Sequence, residues 1–237
     1  MVEGMIDAHA HLLPGVDDGS PSWEVTMQMA RQAAEDGIRH IICTPHMNAE
    51  ADGLAPLKRH MELLDEFRGR LLAEGIAISL DCGAEWMLTP DLVDVVSRQG
   101  RLGQGRAFLY ELSPFMPMAA AGGILRSSKK AGLIPVLAHP ERYPSMNEKE
   151  IPLLGEFTAR GCVLQITAGS LLGVFGRDAK RLAEAIVLAH PQSIVLSTDA
   201  HNTGPRSPKL RAAYAALDAL QPGLANAAQQ KLKILLA

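Results

Sequence analysis

Cysteine is scarce: three in 237 residues, Cys43, Cys82 and Cys162, an odd number set far apart, each inside an apolar run. A disulfide framework and a zinc knuckle are excluded, and the three read as small buried side chains in a reducing compartment, cytoplasm by default. None is followed six residues later by arginine; Ala49, Leu88 and Ala168 stand there. The spacing of a cysteine-nucleophile phosphatase is therefore absent. No stretch approaches the roughly 18 uninterrupted apolar residues of a membrane span. No basic segment followed by a long apolar core opens the chain, as a secretory signal would. An excess of positive charge is missing too: the net charge is −3, with scattered basic residues, which disfavours a nucleic-acid partner. The opening Met-Val-Glu-Gly, residues 1–4, precedes a second methionine, Met5, and is assigned no function.

What is present suffices for one core. The apolar fraction is 47%, and single α/β barrels commonly run to about 250 residues. The expectation is a single domain over residues 1–237. Short apolar runs alternate with helical spacing along its length. Strands are expected at Met5–Ala10, Ile38–Thr44, Ile76–Asp81, Ala107–Leu112, Ile134–Ala138, Cys162–Ile166 and Ile194–Ser197. Helices are expected at Trp23–Gly37, with Ser22 as N-cap and Gly37 as stop, and from Pro56 to Glu74. Others start at Thr89-Pro90-Asp91, then run over Met118–Ala131, Glu148–Arg160, Asp178–Ala189, Ser207–Leu220 and Ala225–Leu236. Near-continuous apolar strands between helices indicate a parallel sheet covered by helices, either open or closed into a barrel.

The polar residues choose between the two. His9, His11, His46, Glu85, Glu111, His139, Asp199 and His201 fall at or just past the C-terminal ends of six different strands. An open sheet serves its ligand from a few loops at one switch point, whereas a barrel brings every strand end to one mouth. A distorted, seven-stranded TIM-like barrel is expected. His9 and His11 are two apart on a strand and so face one point. Glu85 and Glu111 end or interrupt apolar runs, where a lone carboxylate is costly to bury unless paired or metal-bound. Imidazole and carboxylate without thiolate suit manganese, iron or zinc in a catalytic site, and so many ligands imply two or three ions. His40, His60 and His190 lie at a strand start, within a helix and at a helix end, and read as ordinary surface or core histidines.

Six motifs together resemble the PHP (polymerase and histidinol phosphatase) superfamily. They are His9-x-His11-Leu-Leu-Pro-Gly-x-Asp17-Asp18-Gly19, Thr44-Pro45-His46, Gly83-Ala84-Glu85, Ala138-His139-Pro140-Glu141-Arg142-Tyr143, Ala168-Gly169-Ser170-Leu171 and Asp199-Ala200-His201-Asn202. More narrowly, the chain resembles the bacterial metal-dependent protein-tyrosine phosphatases encoded with capsule and exopolysaccharide genes. That resemblance implies a distorted barrel with up to three ions, commonly manganese. It implies His9, His11, Glu85 and Asp199 on one ion, Glu85 shared with Glu111 and His139 on a second, and Asp18, His46 and His201 on a third. Arg142 and Arg206 match the positions that grip the phosphoryl group. The Asn-Pro of many relatives is here Asn226-Ala227.

The implied reaction is hydrolysis of a phosphomonoester by hydroxide generated at neutral pH on clustered divalent ions. The implied partner is a phosphotyrosine protein, a bacterial tyrosine kinase; a homo-oligomer stays open. Three rival readings remain. One is a small-molecule phosphatase acting on a substrate such as histidinol phosphate. Another is an amidohydrolase, for which Glu111 stands where a bridging modified lysine is needed. The third is a non-enzymatic, metal-stabilised module that regulates polysaccharide assembly.

Overall fold

The computed structural model describes residues 4–237, so the expectation for the opening four residues lies, Gly4 excepted, outside the described residues. Nine strands occur among them: β1 (Met5–Ala10), β2 (Ile38–Cys43), β3 (His46–Met47), β4 (Ser79–Cys82), β5 (Glu85–Met87), β6 (Ala107–Glu111), β7 (Ile134–Ala138), β8 (Val163–Thr167) and β9 (Ile194–Ser197). Every strand pair is parallel. The parallel α/β arrangement expected from the alternation is thus present.

The expected distorted, TIM-like α/β arrangement is present, and its distortion takes two forms. The strands form two sheets, ordered β1-β2-β4 and β3-β5-β6-β7-β8-β9, with no closed ring among the described residues. Two expected strands, Ile38–Thr44 and Ile76–Asp81, are followed beyond their expected ends by the separate short strands β3 and β5, after breaks at Thr44-Pro45 and at Gly83-Ala84. Pro45 has no N–H to give to a ladder, so pairing lapses there. Backbone bonds still cross the break, from Gly83 N to Cys43 O at 2.9 Å and from Glu85 N to Pro45 O at 3.1 Å. On the far side, β9 meets β1 through an isolated bridge between Ala10 and Ala200. It is flanked by Asp199 N to His9 O and His11 N to Ala200 O, both at 2.8 Å.

Side-chain alternation along the strands divides the apolar residues into two layers. Ile6, Ala8, Ala107, Leu109, Val136 and Ala138 join an inner cluster, while Met5, Phe108, Tyr110 and Leu137 pack outward under the helices. Burial on both faces is why these strands read as continuous apolar runs. The C-terminal helix, Leu224–Leu236, sends Leu232 and Leu235 into the inner cluster. Its Gln229 accepts from Ile6 N at 3.2 Å and donates to Ile6 O at 3.3 Å, satisfying backbone groups on β1. Gly105 makes this docking possible, since a Cβ there would lie 2.1 Å from Leu235 O.

Most expected helices are present within a residue or two at their ends. The first runs Trp23–Asp36, with Ser22 accepting from Val25 N and Gly37 at φ +97° closing it in the left-handed region, as the sequence predicts. The segment expected as one helix over Met118–Ala131 begins instead as a 3₁₀ turn, Met118–Ile124, before a helix over Leu125–Ala131. Gly122 is pressed against the Phe157 ring there, where a Cβ would stand 2.6 Å from a ring carbon. No helix among the described residues is long and apolar enough to cross a membrane.

Candidate metal centre

The strand ends converge. His9 Nε2 and His11 Nε2 face each other at 3.1 Å. Around them stand Glu85 Oε2, at 3.1 and 3.3 Å, and Asp199 Oδ1, at 3.4 Å from each. All four side chains are buried. His46 Nδ1 lies 3.3 Å from Glu85 Oε2 and 3.0 Å from Glu111 Oε1. Its Nε2 lies 3.4 Å from Asp18 Oδ1, which is also 3.3 Å from His201 Nε2. His139 Nε2 is 2.8 Å from Glu85 Oε1. Residues 190 positions apart in sequence therefore share one rim, and every sequence-predicted ligand is part of it.

Three groups could hold an ion, each with ligand atoms within 4.8 Å of one another: His9, His11, Glu85 and Asp199; His11, Asp18, His46 and His201; and His46, Glu85 and Glu111. The first matches the expected set, and the second is the expected third set with His11 added. The last differs from the expectation, because His46 takes the place given to His139. Glu85 is the reason: His139 approaches its Oε1, while His46 and Glu111 gather on the Oε2 side. His40, His60 and His190 stay outside, as expected. His40 pairs with Asp81 at 2.9 Å, His60 is buried in the helix Ala55–Ala73, and His190 Nε2 bonds Ile151 O at 3.0 Å.

Neighbours fix which imidazole nitrogen faces the cluster. Asp17 Oδ2 accepts from His11 Nδ1 at 2.7 Å, Gln165 Oε1 accepts from His9 Nδ1 at 2.9 Å, and Asp199 O accepts from His201 Nδ1 at 3.0 Å. With the outer nitrogen protonated, the inner one keeps its lone pair for a cation. Asp17 and Gln165 set these imidazole orientations, and reading the sequence for ligands passes over them. Gln165 carried a signal all the same, as a polar side chain in the middle of an apolar strand. Asp7, also buried beneath the site, accepts from Thr198 N at 3.0 Å and braces the turn that carries Asp199. Burial pushes its carboxyl up to about 6.

The electrostatics fit a cation. Burial alone would raise Glu85 and Asp199, but the His9 charge and the surrounding imidazoles hold both carboxyls well below the usual carboxylate range. Burial, reinforced by His11, lowers His201 to about 4, so it is neutral near pH 7. Glu85 Oε2, His139 Nδ1 and His201 Nε2 are buried without a hydrogen-bond partner. Such atoms are costly unless something occupies the space they face.

Both predicted arginines reach the rim from different loops. Arg142 and Arg206 donate to the same atom, Asp199 Oδ2, with Arg206 Nη2 at 2.8 Å. The Arg142 guanidinium also lies over the Phe175 ring, 4.3 Å from its centroid. Two of the expected ligands sit on strained backbone: His139 at φ +33° and Asp199 at φ +52° are the described non-glycine residues with positive φ. The cysteines take no part. Burial keeps Cys43 protonated and pushes Cys82 and Cys162 up to about 12, so none offers a thiolate nucleophile.

Comparison with known proteins agrees with this geometry. Tyrosine-protein phosphatase YwqE of Bacillus subtilis is 35% identical over 206 residues, spanning 86% of this chain and 80% of that protein. Tyrosine-protein phosphatase CpsB of Streptococcus pneumoniae is 27% identical over 220 residues, spanning 89% and 88%. A solved structure, described as YwqE from Bacillus subtilis and CpsB from Streptococcus pneumoniae, unique metal-dependent tyrosine phosphatases, superposes with a TM-score of 0.83 at 29% identity, covering 98% of this chain and 94% of that one. The family model described as "Capsular polysaccharide synthesis, CpsB/CapC" matches residues 5–226, which include every expected ligand and both arginines. This chain belongs to the CpsB/CapC capsular polysaccharide synthesis family.

Proposed function

We propose that this chain is a metal-dependent protein-tyrosine phosphatase of the cytoplasm, acting on a bacterial tyrosine kinase that controls capsule or exopolysaccharide synthesis. The observation that carries the reading is the shared rim, where buried carboxylates and lone-pair imidazoles face one another beside two arginines. The named activities of YwqE and CpsB support the same reaction.

His9, His11, Glu85 and Asp199 would hold one divalent ion and Asp18, His46 and His201 another, while Glu85 and Glu111 would hold a further ion with His46 on the Oε2 side of Glu85 and His139 on its Oε1 side, with manganese as the metal. The donor set fits: oxygen and imidazole without thiolate, and three buried polar atoms that make no hydrogen bond. When bound, such ions supply Lewis-acid polarisation of phosphoryl oxygens and a water acidified toward about pH 7.

The protein's own groups do the rest. Arg142 and Arg206 turn from Asp199 to the phosphoryl oxygens, which guanidinium grips bidentately, and stabilise the charge that develops on them. Phe175 stacks on Arg142 and keeps its plane fixed. Asp17 and Gln165 hold the proton on the outward nitrogens of His11 and His9. The departing phenolate, with a parent pKa of about 10, leaves more easily than an alkoxide and does not require a dedicated general acid.

The test is turnover of a phosphotyrosine peptide against histidinol phosphate at equal concentration, with and without chelator. Preference for the peptide, abolished by chelation and restored by manganese, is expected. Faster turnover of histidinol phosphate would move the assignment to small-molecule hydrolysis. Activity that survives chelation but is lost on thiol alkylation would end the metal scheme.

A further inference from the structure

A second concave site lies away from the metal rim. A cavity of about 420 Å³ opens between the helix Ala55–Ala73 and the loop at residues 98–104, against the end of β4. That volume is in the range of small-molecule sites. Three arginines line it, Arg68, Arg98 and Arg101, with one acidic residue, Asp81. Asp81 is occupied by His40 at 2.9 Å, and Arg68 by Asp65 at 2.9 Å and Leu80 O at 2.6 Å. The side chains of Arg98 and Arg101 make no hydrogen bond or ion pair among the described residues. Leu57 and Met61 give the same cavity an apolar side.

The loop that carries these arginines is built in advance. Trp86, buried in β5, donates from its indole N–H to Gly100 O at 2.9 Å. Gly100 sits at φ +81° directly on that ring, where a Cβ would be 2.4 Å from it. Gly103 N to Cys82 O at 3.2 Å and Leu102 N to Ala107 O at 2.8 Å pin the rest. A rigid loop presenting two unpaired guanidiniums beside an apolar face suits a ligand with a phosphate at one end and an apolar ring system at the other.

We propose that this cavity binds a soluble nucleoside-monophosphate-sized organic phosphate, its phosphate held by Arg98 and Arg101 and its ring system laid on Leu57 and Met61. The site is separate from the metal centre, although Trp86, which donates to Gly100 in its lining, is the residue next to Glu85.

The backbone of the loop provides a local probe, since Gly103 N–H donates to Cys82 O beside the cavity. The experiment follows amide hydrogen exchange of residues 98–104 by mass spectrometry in the manganese-loaded protein with AMP, adenosine or inorganic phosphate. Saturating AMP should slow exchange there about fivefold or more, adenosine should not, and inorganic phosphate should protect more weakly. Arg98→Ala/Arg101→Ala should abolish protection while exchange without ligand continues. Equal rates with and without AMP, equal protection by adenosine, or protection unchanged in the double variant would each overturn the proposal.

Discussion

The two ends of the strands differ in kind. At the N-terminal end the interior is apolar, and the last helix closes it with Leu232 and Leu235. Even the backbone of Ile6 is satisfied there, by Gln229. At the C-terminal end, carboxylates and imidazoles crowd together, buried polar atoms lack partners, and two non-glycine residues take positive φ. One end satisfies every local rule and supplies stability. The other breaks several of them at once, which is the mark of a site shaped for binding a cation rather than for folding.

The sharpest way to break that contrast is Asp199→Asn. It neutralises the carboxylate that faces three imidazoles through one oxygen and two arginines through the other. Manganese content should fall, and kcat/KM on a phosphotyrosine peptide should drop by about 10²–10³-fold or more, with the far-UV spectrum unchanged. Activity within tenfold of the parent would mean that the rim does not carry the chemistry. At the other end, Leu232→Ala should cost about 2–5 kcal/mol of stability in urea titration and leave turnover per folded molecule intact.

Asp17→Asn tests the layer between. Losing the acceptor on His11 Nδ1 should weaken manganese binding about 10–100-fold by titration. The Asp17 carboxyl is buried, which would raise it, but His11 and the Gly19 and His46 N–H groups hold it down at about 2. Its stabilisation is therefore full above its ordinary 3.8 and lost as pH falls through about 2. Metal-free parent protein should lose stability across that window in acid titration, and the variant should not. The smallest effect belongs to His40→Ala, whose pair with Asp81 is partly exposed: stability should change by about 0.5 kcal/mol or less, and activity not at all.

The rim was legible in the sequence because strand ends are marked by turn residues, and imidazoles or carboxylates just past an apolar run have few other reasons to be there. Glu85 shows what was harder. Its neighbours belong to strands of two and three residues, β3 and β5, too short for any period to register. The same shortness hid the break at Thr44-Pro45, and with it the division into two sheets. Asp17 and Asp18 are adjacent, and only the folded turn decides that one orients His11 while the other faces His46 and His201. The partition of His46 and His139 about Glu85 depends on which carboxylate oxygen each approaches, a choice no sequence pattern encodes.

The left-handed backbone at His139 and Asp199 has an evolutionary corollary. Glycine at either position would relax the chain locally, yet it would delete a ligand or the acceptor of both guanidiniums. Variants selected only for heat resistance are thus free to drift toward inert folds at these two codons, whereas variants selected for turnover must retain the tension.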